Sequence, residues 1–105
     1  MCGRYQFTEK QCVEIRQIVD AIQRKYGVGS WIPGEIRPTA RVPVLVAGQS
    51  YTPSPALMRW GFLISNGLVT NARAETAAEK PMFRNSVQSR RCLIPSTGFF
   101  EWDSD

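Results

Sequence analysis

Apolar residues recur at helical spacing in only one part of the chain. Val13, Ile15, Ile18, Val19, Ile22 and Tyr26 follow one another at three- and four-residue steps and stop at Gly27, which predicts an amphipathic helix. Thr8-Glu9-Lys10-Gln11 has the form of a capping box ahead of it. Cys12 falls on the same stripe, three residues before Ile15, and reads as a small core residue rather than a reactive thiol.

Beyond the helix the apolar residues come in short runs suited to strands. Gly27 to Pro38 is dense in Gly, Pro and Ser and reads as a connecting loop, and Val42 to Val46 as a strand. Gly48 to Pro55 reads as a turn-rich connector. Leu57 to Ile64 and Leu68 to Thr70 read as two strands joined at Ser65-Asn66-Gly67, since Asn-Gly supplies the positive φ that a tight hairpin uses. Short helices are predicted at Ala74 to Glu79 and Pro81 to Gln88, the second with its proline at the first helical position. Cys92 to Ile94 and Phe99 to Trp102 read as strands around a Pro95 to Gly98 turn. The expected class is α+β with a β-rich core and flanking helices.

Composition narrows the chemistry. With 105 residues the chain suffices for one compact domain, and no window approaches the roughly 20 apolar residues of a membrane span. No secretory signal opens it, so a cytoplasmic protein is the expectation. There is no His, which removes the usual base for a Ser or Cys nucleophile and the commonest metal ligand. The three Cys, at 2, 12 and 92, form no C-x-x-C pair, so neither a zinc site nor a disulfide framework is expected, and no cofactor is implied. The net charge of +4 comes from 13 basic and 9 acidic residues, and ten of the basic ones are Arg. Planar guanidinium forks suit bidentate contacts to phosphate, although ordinary surface ion pairs use the same residues.

Four clusters can carry chemistry. Removal of Met1 would leave Cys2 with a free α-amine beside its thiol. These groups titrate near about 8 and about 8.5, so both are partly available at neutral pH without a histidine. Such a 1,2-aminothiol condenses with an aldehyde to a thiazolidine; the ordinary alternative is an incidental Cys in a frayed terminus. Asn71 and Arg73, two apart on an extended segment, aim an amide and a guanidinium to one side, as would a solvated strand end. Glu101 sits among Phe99, Phe100 and Trp102, a setting that suits a carboxyl to moving protons, or else places it on the solvent face of an edge strand. Arg59-Trp60-Gly61, with Arg4, Arg84, Arg90 and Arg91, offers cations near an aromatic for stacking a base and contacting phosphates, while Trp60 also fits a core position.

Met1-Cys2-Gly3-Arg4-Tyr5, Met58-Arg59-Trp60-Gly61, Asn71-Ala72-Arg73-Ala74-Glu75-Thr76, Lys80-Pro81-Met82-Phe83-Arg84, Arg90-Arg91-Cys92-Leu93-Ile94-Pro95 and Gly98-Phe99-Phe100-Glu101-Trp102 together resemble, in order, the motifs of the SRAP family, the SOS response-associated peptidases. The resemblance implies a β-rich, β-barrel-like SRAP domain, of which residues 1–105 form the N-terminal portion, and a bacterial, nucleoid-associated protein. It implies binding of single-stranded DNA, covalent capture of the abasic-site aldehyde by the N-terminal Cys, lyase-like chemistry, and autoproteolytic removal of Met1. In that scheme Cys2, Asn71 and Glu101 are catalytic, and Arg4, Trp60, Arg73 and Arg84 contact DNA. The family continues into a C-terminal portion carrying a His, so a complementing C-terminal portion joins abasic DNA among the expected partners. The connector Phe62 to Gly67 is shorter than the Trp-containing segment of many members. Other readings of the same residues are a noncovalent single-strand-binding module, a peptidase acting on other proteins, and an inactive truncated domain.

Overall fold

A computed structural model describes residues 3–8 and 12–100. Its class is mixed α+β. Helix α1 spans Val13–Tyr26. It buries Val19 and Ile22, half-buries Ile15 and Ile18, and leaves Val13 and Tyr26 at its ends in solvent. The helix starts later than the Thr8-x-x-Gln11 signal predicts. Cys12 is its N-cap, with extended φ of −160° and no side-chain cap bond, and Glu9 to Gln11 lie outside the described residues. An N-cap residue stands off the helical stripe, so Cys12 is exposed rather than in the core. Glu14 helps the first turn instead: hydrogen bonds from its own backbone N–H, and then from Cys12, hold its carboxyl below the usual range. At the other end Gly27, at φ 99°, donates its N–H to the Gln23 carbonyl at 2.9 Å, beyond the basic pair Arg24 and Lys25.

Three sheets accompany the helix. The first is built from β1 (Tyr5–Phe7), β2 (Gly34–Ile36) and β8 (Gly98–Phe99), in the order β2-β1-β8. The second places β3 (Arg41–Ala47) between β4 (Pro53–Arg59) and β7 (Cys92–Leu93). The third is a hairpin of β5 (Phe62–Ile64) and β6 (Gly67–Val69). Strand β2 corrects the loop expected across Gly27 to Pro38. Three residues between Pro33 and Pro38 are too few to show alternation, and the strand exists because Ile36 pairs with Tyr5 and is buried. Trp31, in the same stretch, packs against Phe7 with ring centroids 5.3 Å apart.

The long ladder of the molecule is β3 with β4, in register from Arg41↔Arg59 to Ala47↔Pro53. Pro43 is tolerated within β3 because β7 covers only Leu45 and Val46, leaving β3 an edge at the proline. The hairpin tip is tighter than the Gly48 to Pro55 connector predicts. Ser50 and Tyr51 both take left-handed φ, 54° and 62°, and Thr52 donates its N–H to the Gln49 carbonyl at 3.0 Å. The single strand expected over Leu57 to Ile64 breaks at Trp60-Gly61. Gly61 has φ 102°, and a Cβ there would come within 2.8 Å of Leu68. The β5–β6 hairpin forms as expected, although Asn66 is not among the positive-φ residues.

Two short helices predicted downstream are changed. Residues 74–79 form turns, not a helix, with the Arg73 carbonyl accepting from both Thr76 and Ala77. The second helix, α2 (Arg84–Ser89), begins three residues after Pro81, because a turn comes first in which the Lys80 carbonyl accepts from Phe83 and Arg84. Strand β7 follows the expectation for Cys92 to Ile94, and β8 precedes the part of the predicted last strand that lies outside the described residues.

Phe7, Val19, Ile22, Trp31, Ile36, Val42, Val44, Ala56 and Leu57 form one core between α1 and the two larger sheets. The chain itself ties those sheets together. After β7 it crosses to β8, and Thr97 donates both its N–H (2.8 Å) and its hydroxyl (3.1 Å) to the Gln6 carbonyl. The left-handed tip of β3–β4 is strained, since neither Ser nor Tyr favours that backbone region. Replacing Ser50-Tyr51 by Asn-Gly is expected to raise stability by about 1 kcal/mol in urea unfolding, with the m-value unchanged.

Candidate nucleic-acid interface

Two groups of polar side chains stand out on this frame. The first surrounds Arg4, just before β1. Its Nη1 lies 2.7 Å from Glu35 Oε1, and its guanidinium sits 4.9 Å from the centroid of the Phe100 ring. Arg37 reaches the same carboxylate at 3.4 Å. Arg4 is therefore oriented from two sides and remains partly exposed. Nothing in the sequence singles out Glu35; only the β1–β2 pairing brings it to Arg4.

Tyr5, the next residue, packs against Trp60 with centroids 5.7 Å apart. Trp60 is half-buried against the core. Its backbone is fixed by hydrogen bonds from its N–H to the Ala40 carbonyl (3.0 Å) and from the Thr39 N–H to its own carbonyl (2.9 Å). Of the two sequence readings of Trp60, the structure bears on the core position alone: the residue packs inward and is half-buried.

The second group follows β6. Asn71 and Arg73 are exposed and line a cleft of about 780 Å³ together with Val69, Lys80, Pro81, Met82 and Phe83. The Asn71 amide donates to the Thr70 hydroxyl at 3.0 Å, which orients it. A second hollow, of about 690 Å³, adjoins along residues 71–76. Lys80, the first residue of the Lys80-to-Arg84 motif, is a second cation of this cleft and stands at the turn that precedes α2. Arg84 is exposed at the start of α2, one step beyond the lining residues. Cys2 and Glu101 lie outside the described residues.

An apolar floor with an amide and two cations on its rim has the composition of a site for an anionic, partly aromatic ligand. Among the described residues no helix is long and apolar enough to cross a membrane.

The architecture is thus a mixed α+β domain with arginine-rich surfaces at its N-terminal strand and beyond its hairpin. The sequence model of the family "SOS response associated peptidase (SRAP)" matches residues 1–105, and the chain belongs to that family. Among similar proteins are the abasic site processing protein YobE of Bacillus subtilis (strain 168), 29% identical over 97% of this chain and 49% of its own length. The abasic site processing protein YoqW of Bacillus phage SPbeta is also 29% identical, over 97% of this chain and 48% of its own. YoaM of Bacillus subtilis (strain 168), of the same description, matches at 29% over 97% and 47%. The chain spans about half the length of these curated relatives. No solved structure matches it.

Tyr5 adds a testable electrostatic feature. Its hydroxyl is buried with no hydrogen-bond partner among the described residues. Burial, and secondarily the electrostatic influence of Cys92, push the phenol up to about 12. Between about pH 10 and that value the unfolded chain releases the phenolic proton while the folded chain retains it, so stability falls as pH rises through this window. Tyr5→Phe is expected to raise stability at neutral pH by about 1 kcal/mol and to flatten the alkaline decline, measured by urea unfolding from pH 7 to 12.

Proposed function

We propose that this chain is the N-terminal portion of a single SRAP domain that binds single-stranded DNA and captures abasic sites covalently through Cys2. The observation that carries the reading is Arg4, held between Glu35 and Phe100. In the chain Arg4 stands two residues from Cys2 and Phe100 stands next to Glu101, so the described neighbours of the two key residues are in contact. The names of the relatives, abasic site processing proteins, support the substrate.

The chemistry begins with hydrolysis of the Met1–Cys2 peptide bond, which consumes one water and exposes the α-amine. That amine attacks the aldehyde carbon of the ring-opened abasic sugar. The resulting carbinolamine takes up a proton on its hydroxyl and leaves water behind, giving an imine. The Cys2 thiolate then adds to the imine carbon, and the nitrogen accepts a proton, closing a thiazolidine with one water released overall. Glu101 is assigned the proton transfers and Asn71 the orientation of the nucleophile. Arg4, Arg73 and Arg84 take the flanking phosphates, and the exposed portion of Trp60 takes a base.

Incubating the protein with a single-stranded oligonucleotide carrying one abasic site, followed by intact-mass spectrometry under denaturing conditions, tests this reading. The expected spectrum shows a Met1-less protein and an adduct lighter by one water than the sum of its parts, absent with undamaged DNA and abolished by Cys2→Ala. An undiminished adduct in Cys2→Ala overturns the assignment. Salt-sensitive binding without any adduct favours the noncovalent module.

A further inference from the structure

The register of β3 and β4 sets two arginines directly opposite one another. Arg41 and Arg59 form the last cross-strand pair of the ladder, on the same face, and both are exposed. Opposed side chains on an antiparallel pair have Cβ atoms about 5 Å apart, and like charges in that position destabilise the sheet. Neither arginine has an ion pair among the described residues; the carboxylate nearest in sequence, Glu35, serves Arg4 and Arg37 instead. Just beyond the pair, Ala40 and Trp60 pack against the core, while the two arginines are exposed.

The adjoining turn is strained as well. Residues 37–40 form a tight turn closed by the Ala40 N–H on the Arg37 carbonyl at 3.1 Å, with Thr39 at φ 77°. A β-branched residue in the left-handed region is an outlier that surrounding structure must enforce. Here Pro38 and the bond from Thr39 N–H to the Trp60 carbonyl enforce it. The strained turn returns the chain from Arg37, whose guanidinium reaches Glu35, into Arg41.

We propose that Arg41 and Arg59 form a phosphate clamp that grips the backbone of the nucleic-acid strand at a place separate from the Asn71–Arg73 cleft. The proposal rests on the reading of this chain as a DNA-binding protein, but not on covalent capture. Two planar forks with no carboxylate between them match the several oxygens and the single charge of one phosphodiester. Binding that charge relieves the repulsion which the free sheet carries.

The test is the double variant Arg41→Gln/Arg59→Gln in the full chain, titrated with a fluorescently labelled, undamaged single-stranded oligonucleotide across a salt series. The expected result is about tenfold weaker binding and a plot of log affinity against log salt shallower by about 0.7, as when one phosphate of a single strand is no longer neutralised by the protein. The thermal midpoint of the double variant is expected to equal or exceed that of the parent, because a repulsive pair has been removed. Arg41→Lys/Arg59→Lys is expected to keep the salt slope and lose part of the affinity. Unchanged affinity and slope in the Gln variant overturn the clamp, as does weakened binding that comes with a lowered thermal midpoint and is not accompanied by a shallower slope. Salt-dependent binding that needs both arginines, in a protein that never forms a Cys2 adduct, upholds the clamp and rejects the covalent reading. A Cys2 adduct formed by a protein whose binding ignores both arginines does the reverse.

Discussion

The ladder between β3 and β4 holds the other elements in relation to one another. Its seven pairs present Val42, Val44 and Ala56 to the core, where Val19 and Ile22 of α1 are buried. Among the described residues no other strand exceeds three residues, and a short two-stranded pairing is marginal on its own. The first sheet depends on this ladder through Trp60, which continues it by two backbone hydrogen bonds and packs against Tyr5 of β1. The position of Arg4 therefore traces back to a pairing formed some forty residues further along the chain.

Charge is distributed against stability on this surface. Glu35 is shared by Arg4 and Arg37, while Arg41 and Arg59 oppose one another without a counter-ion among the described residues. Thr39 holds an unfavourable backbone conformation beside them. A sequence selected for stability alone would carry glycine at the turn and an acid opposite one arginine. Strain and repulsion thus coincide at the surface to which the proposed phosphate clamp is assigned.

The candidate site is legible in the sequence in kind more than in geometry. Asn71 and Arg73, two residues apart, line one cleft, as does Ala72 between them. Lys80 is legible as part of a motif, but its place at that cleft depends on a turn before α2, where the sequence predicts a helix from Pro81. Glu35 carries no signal at all, being a lone acid in a Gly- and Pro-rich stretch whose partner is thirty-one residues earlier in sequence.

By itself the sequence determined the body of α1, strand β3, the β5–β6 hairpin, the α+β class, the family motifs and the arginine bias. Each of these is written in local spacing or in residue type. Tertiary structure decided where α1 begins, since Cys12 shares the helical spacing but takes an extended backbone. It also decided that Gly34–Ile36 is a strand, because three residues become one only when another strand supplies the hydrogen bonds. The meeting of Arg4 with Glu35 and Phe100, and the opposition of Arg41 to Arg59, were likewise tertiary outcomes. Cross-strand register brings together residues far apart in the chain, and no local pattern encodes register.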